Sequence, residues 1–256
     1  MPVGLPDRRT AGHAGRGNGM NVAAAQLQAV PGDVAANAAA HVRLIGEAAA
    51  AGARVVVFPE LSLTGYELDL LRDDEALWLT AGDERLTPVR DACREQRIHA
   101  IVGAPLRDDG RRILAALVVD DAGDIAEVYA KIHLDEQESE LFSPGDAHVV
   151  YEIDGRRLGL AICADASVPG HAARLAALGA EAYLVGAVFP EGRMERLLDQ
   201  MSSRSRENGM YVALGSAVRP GGHYTGIGAS GVWAPDGRAI VQLGDEPAGI
   251  AVTELA

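Results

Sequence analysis

Aromatic side chains are scarce: Phe, Trp and Tyr together supply 4% of the 256 residues. The core must therefore be built from Ala, Val, Leu and Ile. Cysteine is rarer still, with Cys93 and Cys163 the two copies. That excludes a disulfide framework, and a reducing, cytoplasmic setting is expected. No apolar run approaches the ~18 residues of a membrane span. Positive charge is short as well, leaving a net charge of -13. Such a surface repels phosphate backbones and anionic headgroups, so neither nucleic acid nor a membrane is expected as partner. Scarcest of the basic residues is lysine, with Lys131 standing alone among 23 Lys and Arg. Arginine is larger, planar and never deprotonated, so it cannot stand in where a compact ammonium is needed. Composition by itself leaves open that Lys131 survives by chance.

What is present is ordinary globular composition, 48% hydrophobic and 23% charged, which excludes a disordered or fibrous chain. The length fits one large domain that can bury a core without staples. The stretch from Met1 to Gly19 holds Arg8, Arg9 and Arg16 among Gly and Pro but no apolar segment. It is expected to be a flexible tail, neither a secretory signal nor a twin-arginine address, with residues 20–256 forming the domain. Asn21 to Val30 predicts a strand, Val34 to Ala49 a helix capped by Asp33, and Arg54 to Phe58 a buried strand. This is a βαβ order. Helices are further predicted over Thr87 to Gln96, Pro169 to Leu178 and Met194 to Asn208. Strands are predicted over Ile98 to Pro105, Ile113 to Val119, Val128 to His133, His148 to Ile153, Arg157 to Ile162, Ala182 to Phe189, Tyr211 to Val218 and Gly249 to Thr253. Asp109-Gly110, Asp154-Gly155 and Asp236-Gly237 are strong turn signals. The sum is an α/β domain mixing parallel units with antiparallel hairpins.

Three ionisable residues stand where an apolar strand stops, the part of an α/β sheet where sites gather. Glu60 closes Val55-Val56-Val57-Phe58-Pro59-Glu60. Lys131 lies in Tyr129-Ala130-Lys131-Ile132-His133-Leu134, ahead of a polar loop. Cys163 ends Leu158-Gly159-Leu160-Ala161-Ile162-Cys163, before a helix whose N–H groups favour a thiolate. Taken singly, each has an ordinary reading: a solvated carboxylate, a snorkelling lysine, a core cysteine.

Taken together, their order resembles the nitrilase superfamily of carbon–nitrogen hydrolases, over essentially Met20 to Glu254. Phe58 to Tyr66, Lys131-Ile132-His133-Leu134 with Ser143-Pro144-Gly145-Asp146, and Gly159 to Cys163 with Asp165 match its three site motifs. Arg204 to Gly209 and Ser230 to Gly237 match two later signatures. The resemblance implies a four-layer α-β-β-α sandwich, commonly a homodimer, and an amidase releasing ammonia from a small-molecule amide through a Cys thioester. It needs no metal or organic cofactor. It implies Glu60 as base, Lys131 as oxyanion donor, Cys163 as nucleophile and Glu138, ahead of Glu136 and Glu140, as the second glutamate. Ala164, through its backbone N–H, together with Tyr66 and Phe189, would contact the oxyanion or substrate. Ala164 and Gly170 depart from the usual aromatic and acidic residues, which leaves the substrate open. True nitrilases usually carry Trp-Glu where this chain has Ala164-Asp165, so an amide is favoured over a nitrile, with an N-carbamoyl compound as alternative. Two rivals remain: a Cys–His hydrolase or acyltransferase pairing Cys163 with His133 or His171, and an inactive scaffold. Asp69, Asp73 and Asp74 lack the spacing of a calcium loop and are expected on a solvated face.

Overall fold

The computed structural model describes residues 19–221 and 224–256; the expected tail, 1–19, lies outside them apart from Gly19. β1 (Met20–Leu27) is apolar and buried along nearly its whole length. It leads into α1 (Val34–Ala50), where the Asp33 side chain accepts from the Ala36 amide at 2.9 Å and satisfies a donor the helix leaves free. β2 (Val55–Val57), α2 (Leu68–Asp73) and α3 (Thr87–Gln96) follow. Next come β3 (His99–Asp108), β4 (Arg111–Val119), β5 (Ile125–Ala130) and α4 (Glu136–Ser139). β6 (Val150–Ile153) and β7 (Arg156–Ile162) lead to α5 (Ala164–Ser167), α6 (Pro169–Ala177), β8 (Ala182–Ala187) and α7 (Met194–Asn208). β9 (Tyr211–Gly221), β10 (Tyr224–Ile227), β11 (Gly231–Trp233), β12 (Ala239–Gln242) and β13 (Ala248–Leu255) complete the order. The hairpins β3–β4 and β6–β7 turn on Asp109-Gly110 (φ 48° and 77°) and Asp154-Gly155 (φ 51° and 82°). Two successive positive φ values match the twist of the flanking strands.

Paired strands run β5-β4-β3-β2-β1-β9-β8-β7-β6, with β13 added antiparallel to β1. β1 is the joint. Val22 to Ala24 pair with β2, whereas its last residues, Gln26 and Leu27, pair with β9. The ladder folds over at this point, because β2 packs on β8 and β9, and β4 on β7. α1 and α3 pack together outside one half, and α5, α6 and α7 outside the other. These are the four layers the family resemblance implies. The core is aliphatic, with Tyr129 and Tyr183 the largest fully buried side chains.

Several predicted bounds shift. The strand expected over Val128 to His133 is Ile125–Ala130 and ends before Lys131, while the polar loop beyond it contains α4. β1 stops at Leu27, where the chain leaves its pairing with β13. A short helix, α5, precedes the one expected at Pro169. Asp69, Asp73 and Asp74 are exposed, as expected. Among the described residues no helix is long and apolar enough to cross a membrane.

Candidate active site

Glu60 owes its position to the end of β2. Phe58-Pro59 stops the strand, and Leu61 at φ 48° turns the chain aside, leaving Glu60 2% exposed. Neighbouring strands crowd this corner. A Cβ at Gly103 of β3 would meet the Pro59 carbonyl, and one at Gly186 of β8 would lie 2.6 Å from the Phe58 carbonyl oxygen. Only glycine permits that approach.

Lys131 follows β5 directly. Its amide donates to the Leu114 carbonyl at 2.9 Å, and its carbonyl accepts from the Gly145 amide at 2.8 Å, so Gly145 of the Ser143-Pro144-Gly145-Asp146 run holds the lysine's own backbone. The side chain is 1% exposed. Its Nζ donates to Glu60 Oε1 at 2.7 Å and to Glu138 Oε1 at 2.6 Å. Glu138 is fixed in turn by a capping box: Asp135 accepts from the Glu138 amide at 2.9 Å, and Glu138 Oε2 accepts from the Asp135 amide at 3.0 Å. The Tyr66 hydroxyl donates to Glu138 Oε1 at 2.9 Å.

Cys163 ends β7 at φ 42°, ψ -98°, a sparsely populated conformation that costs ~1–3 kcal/mol and is typical of functional positions. The residue as a whole is half-buried. Its thiol lies 3.5 Å from the Val188 carbonyl, and the Glu60 carboxylate is near enough to interact with it electrostatically. Burial, and then the Glu60 charge, push the thiol well above its ordinary range, while Lys131 pulls the other way. Burial likewise pushes the Glu60 carboxyl up to about 8, against the Lys131 charge and with help from Glu138. Burial works against the Lys131 ammonium, but Glu60, Cys163 and Glu138 outweigh it and keep it protonated. Burial thus favours the protonated form of both thiol and carboxyl, and Lys131 is the charge that opposes it in each case.

These groups open onto one cavity of about 360 Å³. Glu60, Lys131, Glu138, Cys163, Ala164, Tyr66 and Phe189, all expected at the site from sequence, line it. Sequence reasoning did not single out Asp135, Ser167, Val188, Pro190, Arg193 and Arg196, which line it too. No group of His, Cys, Asp or Glu suited to a metal ion occurs among the described residues.

His133 and His171 serve a different centre. Asp165 is fully buried. Its Oδ1 accepts from the His133 amide at 3.0 Å and lies 2.8 Å from His133 Nδ1. Its Oδ2 accepts from the Tyr129 hydroxyl at 2.6 Å and the Ile162 amide at 3.0 Å. His171 sits between the Tyr129 and Tyr183 hydroxyls, each 2.9 Å away. Among the described residues no hydrogen bond joins a histidine to Cys163, so the His133 or His171 partner that the rival reading requires is not found there. Sequence reasoning matched Asp165 to a motif without giving it a task. The later signatures also act as supports: Arg204 Nε donates to the Ala166 carbonyl at 2.9 Å, and the Ser205 hydroxyl bonds the Ala234 carbonyl.

Known proteins share this architecture. A hydrolase of Mycobacterium tuberculosis is 30% identical over 89% of this chain and 86% of its own. An (R)-stereoselective amidase of Pseudomonas is 30% identical over 88% of this chain and 81% of its own. A variant of the amidase from Nesterenkonia sp. AN1, bearing acrylamide added at its active-site cysteine, superposes with a TM-score of 0.85. It is 26% identical and covers 93% of each chain. The family model for carbon-nitrogen hydrolases matches residues 21–256, and the chain belongs to that family, within the nitrilase superfamily.

Proposed function

We propose that this hydrolase cleaves small-molecule primary amides through a thioester on Cys163. The observation that carries the reading is the buried Lys131 ammonium, 2.7 Å from Glu60 and 2.6 Å from Glu138, in the cavity that Cys163 faces. Glu60 takes the thiol proton as sulfur attacks the amide carbon. The oxygen, now negative, receives hydrogen bonds from Lys131 and the Ala164 N–H, donors fixed before charge develops. Glu60 returns the proton to the leaving nitrogen, and the C–N bond breaks to give ammonia and the thioester. Glu60 next deprotonates water, which attacks the thioester, and the carboxylic acid leaves as the thiol is restored. Glu138 holds Lys131 in line, Tyr66 holds Glu138, and Phe189 supplies apolar wall. The homodimer implied by the family resemblance belongs to the same reading, and light scattering tests it.

The decisive measurement is ammonia release by the purified protein from aliphatic amides, N-carbamoyl amino acids and nitriles. Amides should be turned over fastest, and Cys163→Ala should release nothing. Preferential turnover of carbamoyl compounds or nitriles, or an active Cys163→Ala protein, would overturn the proposal.

A further inference from the structure

Arg193 and Arg196 line the same cavity as Cys163, yet the chemistry above gives them no task. Arg193 stands at the N-cap of α7 and Arg196 in its first turn. Both are exposed, and neither guanidinium is held by a carboxylate among the described residues. Arg54, Arg72, Arg85 and Arg156 each hold an acidic partner within 3.1 Å, whereas these two cavity-lining arginines hold none among the described residues, although acidic residues outnumber basic ones 36 to 23.

The cavity is polarised along its depth. At the floor, Glu60 and Glu138 set two carboxyl groups against one ammonium, so an anionic tail is repelled there while a neutral amide is accepted. Val188, Phe189 and Pro190 make an apolar stretch. Asp135 also lines the site, but it is occupied as the cap of α4. The two free guanidiniums therefore set the sign of the mouth, and a guanidinium fork matches a carboxylate in geometry as well as charge.

We infer that Arg193 and Arg196 select amides that carry a carboxylate at the far end of a short aliphatic chain. The inference rests on the amide-hydrolase reading of the site. Because the proposed chemistry uses neither guanidinium, the selectivity enters through KM rather than kcat. Because they are exposed, it weakens as salt is raised.

The test compares kcat/KM for glutaric acid monoamide, pentanamide and the ω-amino analogue of pentanamide. The expected order is anionic, neutral, cationic, with anionic above neutral by about tenfold at low salt. In the doubly substituted Arg193→Gln, Arg196→Gln protein, with its melting temperature checked against wild type, that ratio should collapse towards unity through KM. Turnover of all three without preference, or a preference that survives the double substitution, overturns the inference and leaves amide hydrolysis standing. A calorimetric titration of glutaric acid monoamide into Cys163→Ala separates the remaining cases. Binding that needs the two arginines, with no turnover by wild type, keeps the anion site and sinks the amide chemistry. Absence of binding sinks the anion site.

Discussion

Two buried polar clusters flank Cys163, built from similar groups and wired differently. On one side Lys131 lies between Glu60 and Glu138, open to the cavity. On the other, Asp165 collects Tyr129, His133 and the Ile162 amide, with His171 and Tyr183 behind them. In the first cluster, burial lifts Glu60 to about 8 and lifts Cys163 as well, which brings the carboxyl's titration next to the physiological range. In the second, burial lowers His171 to about 4 and raises Tyr129, which leaves both neutral across the physiological range. Burial alone thus does not make a site reactive. The first cluster can exchange protons with a substrate, while the second ties the Lys131 loop to the Cys163 turn. His133 is two residues past Lys131, Asp165 two past Cys163, and their hydrogen bonds set the spacing of the two loops.

The comparison breaks most sharply if the first cluster is silenced. Cys163→Ala and Glu60→Gln should each lower kcat by ~10⁴-fold or more, and the double variant should be little worse than either, since such residues act as a unit. Single-turnover assays on the three proteins check this. Lys131→Arg should follow at ~10²–10³-fold, because the larger head displaces the oxyanion position while keeping the charge. With the lysine 1% exposed, overpacking should also cost ~1–3 kcal/mol, read by chemical denaturation. Near-wild-type turnover in Lys131→Arg would remove the lysine from the chemistry.

A pH profile sharpens the same contrast. In the proposed role of base Glu60 must be ionised, so kcat/KM should rise about tenfold per unit below its pKa and level off above about 8. Linkage gives the sign for stability. The folded carboxyl keeps its proton to higher pH than the unfolded one, whose ordinary value is 4.5, so its contribution is full below 4.5 and lost as pH rises through about 8. Glu60→Gln should flatten that slope in denaturation curves taken across the window. Asp165→Asn should behave otherwise. It presents an amide N–H₂ to groups that all donate, destabilising by ~1–3 kcal/mol, and it should lower kcat while leaving the midpoint of the pH profile in place. A shifted midpoint would mean the two clusters share protons.

Much of this was legible in the sequence because it is local. Glu60, Lys131 and Cys163 each stand just beyond a strongly apolar strand, and the turns at Asp109-Gly110 and Asp154-Gly155 carry their own geometry. The hidden parts depend on chain pairing. Nothing near Asp165 announces that Tyr129, 36 residues earlier, will reach its carboxylate. Nor does the Met194–Asn208 pattern reveal that Arg196 faces a cavity. α4 is hidden in the sequence because four polar residues carry no periodicity. Its capping box, Asp135 with Glu138 three residues on, was the available signal.

The smallest effect belongs to the other cysteine. Cys93 lies in α3, fully buried among apolar side chains, and burial raises its thiol to about 12. Cys163 is raised too, so pKa alone does not separate the two. What separates them is company: Glu60 can take the Cys163 proton and Lys131 can face the resulting anion, whereas the charge acting on Cys93 is the repulsive one of Asp120. Cys93→Ala should therefore keep activity within about twofold and cost ~1 kcal/mol from lost packing. Iodoacetamide should modify the folded protein once, at Cys163, with inactivation in step, and Glu60→Gln should slow that labelling. Peptide mapping reads the outcome, and equal labelling of Cys93 in the folded protein would erase the distinction between the two thiols.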